Sequence, residues 1–227
     1  MIELLVVIAI IGMLAAMIAN LAAPSSIARK RKLMDAAKEQ LITAIENYKA
    51  KIGFYPPDNA LLSDLSKVTD YSLTTARNPL LYELTGPRVD VDANDLPTNF
   101  QLFNSTNASP SDLETVYGRK GLANSSSMNT SDQRSFNFLI PTPNPTQYKS
   151  YPENKDTLGL NQILGLVVPV SLDRYPANPA VQTPPDFVNF WHYDASSANR
   201  HNMDSYDVWA VYSLGKNIVT NGNWIQQ

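Results

Sequence analysis

Cysteine is absent from the 227 residues, which excludes disulfides, thiolate zinc sites, iron–sulfur clusters and haem attachment through Cys-x-x-Cys-His. It leaves the compartment open, because an exported protein can do without disulfides. Histidine occurs only as His192 and His201, with Asp194, Asp204 and Asp207 nearby. Ordinary loop and strand hydrogen bonds are the expected role of both, and a His/Asp metal site is the sharper alternative. The nine glycines form neither a Gly-x-Ser-x-Gly elbow nor a phosphate-binding loop: Leu214-Gly215-Lys216-Asn217 lacks the upstream glycine and the Ser/Thr. The seventeen acids of the C-terminal part show no spacing that singles out a pair for acid–base work. No catalytic or cofactor-binding residue is read from the chain. The formal net charge is only -3, so the whole chain carries no electrostatic indication of a nucleic-acid partner.

Charge is also missing from one long stretch. Leu4 to Ala19 are sixteen apolar residues, and Ile2 and Leu21 to Ala23 extend the run, broken only by Glu3 and Asn20. As a helix this stretch spans about 33 Å, enough to cross a hydrocarbon core of about 30 Å. It has no polar stripe of the kind a soluble core helix keeps. No basic residue precedes it and its small residues lie inside it, so a retained membrane-inserting helix is expected rather than a cleaved secretory signal. Arg29-Lys30-Arg31-Lys32 follows, which by itself would put the rest of the chain in the cytoplasm.

Beyond the apolar run, Leu33, Ala37, Leu41, Ala44, Ile45, Tyr48 and Ile52 recur at three- and four-residue steps, an amphipathic helical pattern. Gly53 ends it before Tyr55-Pro56-Pro57. Fifteen of the sixteen prolines lie between Pro56 and Pro185, too dense for long helices. Three segments result: a membrane-inserting or filament-core helix over 1–23, an amphipathic continuation over 24–53, and a globular part over 54–227. The first 52 residues carry seven basic and four acidic side chains, the remainder eleven and seventeen. A basic stalk on an acidic head lets copies packed side by side pair opposite signs.

Within the head, short helices are expected at Leu61–Leu65 and Asn78–Leu84. Asn104 to Ser135, rich in Ser, Asn and Thr, reads as exposed and irregular. Strands are expected at Phe136–Ile140, Ile163–Val170, Phe187–Tyr193 and Asp207–Leu214, and a tight turn at Asn221-Gly222. The fold class is therefore α+β: one long N-terminal helix on a small antiparallel sheet with long irregular loops. Period-two alternation puts Val208, Ala210, Tyr212 and Leu214 on the face turned to the helix, and Trp209 and Val211 on the other. Four Asn-x-Ser/Thr sequons begin at Asn104, Asn107, Asn124 and Asn129, candidate glycosylation sites if the chain is extracellular.

The opening MIELLVVIAIIGMLAA closely resembles the N-terminus of type IV pilins and type II secretion pseudopilins, with Glu3 and Gly12 at the family's relative spacing. Ala44-Ile45-Glu46-Asn47-Tyr48-Lys49 with Gly53-Phe54-Tyr55-Pro56 is similar to the major-pseudopilin junction. Tyr206-Asp207-Val208-Trp209 with Ser213-Leu214-Gly215 is similar to that group's C-terminal strand. The likeness covers residues 1–65 and 204–216, and residues 66–203 lie outside it. It implies a pilin-like fold and a non-enzymatic subunit, held in the inner membrane as a precursor whose basic leader is cleaved. An assembly machinery would then build it into an extracellular homopolymer with helical symmetry, a pilus or a pseudopilus. A membrane-anchored periplasmic enzyme or binding module is the rival of another class.

The resemblance also bears on particular residues. Met1, Glu3, Gly12 and Pro24 would serve assembly: Glu3 through the α-amino group of a neighbouring copy, Gly12 and Pro24 by bracketing a segment that unwinds when copies pack. The major pseudopilins carry a calcium site after the Trp-containing strand. Here Gly215 to Asn223 holds Asn217, Asn221 and Asn223 but no carboxylate. Asp204, Asp207 and Asn221 are thus the candidate calcium ligands, with plain backbone turns as the alternative.

Overall fold

The computed structural model describes residues 2–127, 135–150, 163–170, 172, 188–214 and 217–224, and within the N-terminal helix the side chains of residues 7, 8, 10–13 and 26–52. The chain is α+β, a few helices with small antiparallel sheets. Helix α1 runs from Ile2 to Ile52. Its backbone is helical through Gly12, Asn20 and Pro24, so the break expected between Gly12 and Pro24 on packing is not present in the single chain. The proline removes one hydrogen bond, and the regular turns on either side continue across it. Gly53, at φ 101°, ends the helix with its amide on the Lys49 carbonyl, a left-handed residue that glycine adopts freely.

The apolar repeat decides which part of α1 is covered. Met34, Leu41, Ala44, Ile45 and Tyr48 are buried, spaced by threes and fours along one face. Leu33, expected in this stripe, is exposed, and Met34 and Lys38 are buried in its place. Opposite them stands a three-stranded antiparallel sheet of β7 (His192–Asp194), β8 (Asp207–Leu214) and β9 (Asn217–Gly222), in the order β7-β8-β9. As expected, Asp207–Leu214 is a strand against α1, with Val208, Ala210 and Tyr212 buried and Trp209 and Val211 half-buried on the other side. Asn221-Gly222 is not a turn. Both lie in β9, and the chain reverses earlier, between the paired residues Leu214 and Asn217.

A second, four-stranded sheet has the order β3-β2-β1-β4, from β1 (Arg88–Val91), β2 (Pro97–Gln101), β3 (Asn107–Ala108) and β4 (Ser126–Ser127). Only its β1–β4 pair is parallel. Strands β5 (Tyr148–Ser150) and β6 (Leu164–Leu166) form an antiparallel pair. The Val167–Phe190 bridge and the amide of Trp191 on the Leu166 carbonyl join it to the chain entering β7. The expected strands at 163–170 and 187–193 thus exist in shorter form, with Phe187 outside the described residues.

Three expectations need correction. Asn104 to Ser135 is not simply exposed and irregular. It includes β3, β4 and a helix over Pro110–Tyr117, whose Leu113, Val116 and Tyr117 are buried. Its start carries a capping box between Ser109 and Asp112 with Pro110 in the first turn, a signal present in the sequence but masked by polar composition. Phe136–Ile140 is not a strand. The Phe136 amide bonds the Asn124 side chain and the Phe138 amide bonds the Leu84 carbonyl, so single bonds replace a ladder. The helix near Asn78 begins at Leu80 and ends at Thr85, preceded by another over Tyr71–Ala76, while 60–67 forms two short 3-10 turns.

Trp224 closes the outer face of the C-terminal sheet. A Cβ on Gly222 would come within 2.7 Å of its ring, so the indole lies directly over the glycine, and His201 stacks on it at 4.1 Å between centroids. Gly222→Ala should push Trp224 out of this sandwich. The expected result is a red-shifted tryptophan emission with a loss of about 1–3 kcal/mol in urea unfolding; an unchanged spectrum and midpoint would show that the close approach is not a constraint.

Candidate functional site

The head grips α1 with polar as well as apolar contacts. The Lys38 ammonium donates to the Asn221 side-chain oxygen at 2.8 Å, and the Asn221 amide donates to Asp35 at 2.8 Å. Lys38 and Asn221 are both buried, so the helix and β9 are tied by a polar pair closed off from water. About three turns beyond, the Tyr48 hydroxyl donates to Glu83 at 2.9 Å. Glu83 also accepts from the backbone amides of Ala123 and Asn124. Burial first raises the Glu83 pKa, against the lowering effect of these donors, and burial beside Glu83 raises that of Tyr48. At the C-terminal end of the helix Lys49 lies 4.0 Å from the Tyr55 ring centroid, and Tyr55 packs edge-on against Tyr206. At the other end burial raises the Tyr212 pKa, and the nearby Arg31 charge works against that rise.

In the other half of the helix, none of the described side chains is covered by the described residues. Val7, Ile8, Ile10, Ile11 and Met13 are each more than half exposed. At 100° per residue these five positions point in directions that go right round the helix. An exposed apolar surface of this kind marks an interaction surface. Taken over the described residues, no helix is long and apolar enough to cross a membrane. The remainder of the run Leu4–Ala19 consists of residues whose backbone is helical and whose side chains are outside the description.

Among the sequence candidates for assembly, Met1 lies outside the described residues, and Glu3 and Pro24 are described as helical backbone only. Gly12 is exposed, and a Cβ there would meet no atom within 4 Å.

The three calcium candidates are not brought together as a site. Asp204 is exposed. Asp207 is buried and accepts from the backbone amides of His201 and Asn202 and the Asn202 side chain, while His201 Nδ1 stands 3.0 Å from it. Asn221 serves α1 instead. Among the described residues no group of three His, Asp or Glu side chains could hold a metal ion. The loop before β8 is closed by protein donors, with Arg200 bonding the carbonyls of Ser197, Asn202 and Met203.

The sequons divide in the same way. Asn107 is exposed, the Asn104 side chain and all of Asn129 lie outside the description, and Asn124 is buried. The Asn124 amide donates to the carbonyls of Glu83 and Phe136, which leaves no free amide hydrogen for a glycan in the folded chain. The two histidines make hydrogen-bond and stacking contacts: His192 is buried, stacked on Trp209, with Nδ1 2.9 Å from the Thr75 hydroxyl.

A buried carboxylate pair was not singled out in the sequence. Asp58 accepts from the amides of Ala195 and Ser196 and from the Ser196 hydroxyl, while Asp194 accepts from Tyr71 and Ser197. Burial raises the Asp58 pKa, only partly offset by the amide and hydroxyl donors. The partners of the two carboxylates are amides and hydroxyls of residues 195–197, just after β7, and the Tyr71 hydroxyl, so the pair latches the segment after α1 to the end of β7.

Comparison with known proteins gives no match: no family model, no curated protein and no solved structure is significantly similar to the chain.

Two measurements test this anchorage. Asn221→Ala removes the partner of a buried ammonium and should cost about 1–3 kcal/mol in urea unfolding of the detergent-solubilised chain; a neutral result would make the pair incidental. His192 has its pKa lowered by burial from 6.5 to about 4. The native state therefore takes up its proton later than the unfolded chain does. The corresponding stability is complete above pH 6.5 and lost as pH falls through about 4. The advantage of wild type over His192→Gln should shrink by about 2–3 kcal/mol between pH 7 and pH 4. A gap independent of pH would show that His192 is not held neutral.

Proposed function

We propose that this chain is a structural, non-enzymatic subunit that polymerises through its N-terminal helix into an extracellular type IV pilus-like filament, and that its fold is pilin-like. The observation that carries the reading is the division of α1. One half is seated on the head by an apolar stripe, and in the other the described apolar side chains, Val7, Ile8, Ile10, Ile11 and Met13, are exposed. Such a helix stays dry only in lipid or among other apolar helices. Once it leaves a bilayer, packing against copies of itself is the remaining way to keep it from water. A contact between copies that does not close on itself propagates as a helical polymer. The motifs around Glu3, Tyr48 and Tyr206 support the same reading through their resemblance to the pilin and pseudopilin family.

Glu3 is the residue on which assembly would turn. A carboxylate entering a dry core loses several kcal/mol of hydration unless it meets a cation or takes up a proton. The sequence offers no basic side chain before Arg29, about 39 Å further along a helix. The remaining candidate is the α-amino group of its own or a neighbouring copy; the resemblance to the pilin and pseudopilin family implies the neighbour's, and the pair would set the register of each incoming subunit. A pseudopilin of a type II secretion system shares the helix and this chemistry, and would give no long surface filaments. A membrane-anchored enzyme or binding module would have no use for Glu3.

Glu3→Ala should leave a folded, membrane-inserted chain while sharply reducing filaments seen by negative stain in sheared cell-surface material. Normal filament yield from the variant would overturn the role of Glu3. A wild type that makes no filaments would favour the rivals.

A further inference from the structure

The head-facing side of α1 is fixed by Met34, Leu41, Ile45 and Tyr48, all buried. At 100° per residue, Arg29 and Lys32 lie within about 60° of one another and about 150° round the helix from that side. Both are exposed. Arg31 lies about 70° round from the head-facing side, near Tyr212. The structure therefore leaves an Arg/Lys pair on the bare side of the helix, at the neck between its unseated apolar half and its seated half. We propose that Arg29 and Lys32 form a site for the phosphate of anionic phospholipids, used while the chain is still membrane-bound. The proposal rests on the reading of residues 2–23 as a bilayer-inserted helix.

Position, direction and charge support this occupant. Arg29 is six residues beyond Ala23, about 9 Å along the axis. The headgroup zone occupies about 5–8 Å on each side of the hydrocarbon core. Helical side chains lean toward the N-terminus, so both long side chains reach back toward the bilayer surface, and a guanidinium can grip a phosphate with two parallel hydrogen bonds. No acid lies between Glu3 and Asp35 in the sequence. Asp35 itself accepts from Asn221, and the next acid, Glu39, is seven residues beyond Lys32, about 10 Å away from the membrane side. The apolar run below and the cationic pair above thus match the two layers of an anionic bilayer surface.

The test uses the full chain with one introduced cysteine, Ala36→Cys, on the same exposed side; the protein has no cysteine of its own. The labelled chain is reconstituted into phosphatidylcholine vesicles containing one-fifth phosphatidylglycerol, with acyl-labelled tracers of either lipid as energy-transfer acceptors. The expected result is several-fold stronger transfer to the anionic tracer than to the zwitterionic one. Removing either cation should weaken that preference, and Arg29→Gln with Lys32→Gln together should bring the ratio to one. A ratio of one for the unaltered pair, or a preference that survives the double variant, overturns the proposal while leaving the inserted helix intact. A ratio of one together with filament loss in the double variant assigns the pair to contacts between copies and overturns it too. Failure of the chain to co-float with any vesicle overturns the reading of residues 2–23, and the proposal with it.

Discussion

The structure depends on one seat, the apolar stripe of α1 from Met34 to Tyr48 pressed against β8 and β9. Val208, Ala210 and Tyr212 supply the opposing surface because strand alternation sends them all to one side. Burying a side chain of this size stabilises by about 1.5–3 kcal/mol, so the stripe holds the helix by itself. The polar contacts fix its register. Lys38 can reach Asn221 in only one placement of the helix along the sheet, and one residue of slip would leave a buried ammonium unpaired, a loss larger than most single contacts provide. Outside that grip Val7, Ile8, Ile10, Ile11 and Met13 are exposed, in the most apolar stretch of the sequence.

The rest of the head has little regular ladder and many single anchors. Glu83, Asp58, Asp194 and Asp207 are carboxylates drawn inside: Glu83 and Asp58 accept from distant segments, Asp194 from the distant Tyr71 and the nearby Ser197, and Asp207 from the neighbouring His201 and Asn202. Asn124 does the same with a neutral amide, bridging the carbonyls of Glu83 and Phe136 while its oxygen accepts the Phe136 amide. Gly86, at φ 70°, lets the chain pass close by, since a Cβ there would stand 2.8 Å from the Phe136 carbonyl. These devices let a proline-rich chain bury its backbone without long strands. Each also makes position matter more than composition.

That difference explains which features could be read from the residues. The helix through Ile52, strand β8 and its inward face were legible because period and burial agree over many residues. Leu33 and Met34 were interchanged because adjacent apolar residues at a helix edge satisfy the same spacing. The helix at Pro110 was hidden by its polar surface, although Ser109 and Asp112 spell its cap. Phe136–Ile140 has strand composition but is placed by Asn124 and Leu84, partners that no local pattern reveals. The sequon at Asn124 and the candidate ligand Asn221 read as surface chemistry, and each is a buried structural amide instead. Asp58 and Asp194 were invisible as a pair because they are brought together from 136 residues apart.

The seat of α1 is built from opposite ends of the chain, and this has a consequence for synthesis. The helix leaves the ribosome well before the strands that cover it, which are made more than 150 residues later. At ordinary elongation rates that interval is roughly ten to thirty seconds. Throughout it, the Met34–Tyr48 stripe and the apolar run before it have nothing of their own chain to lie against. A newborn molecule therefore depends on its surroundings, a targeting factor, a translocation channel or a chaperone, to keep the helix from wrong partners. A ribosome that stalls before β8 would release the sticky half of this protein without the half that restrains it.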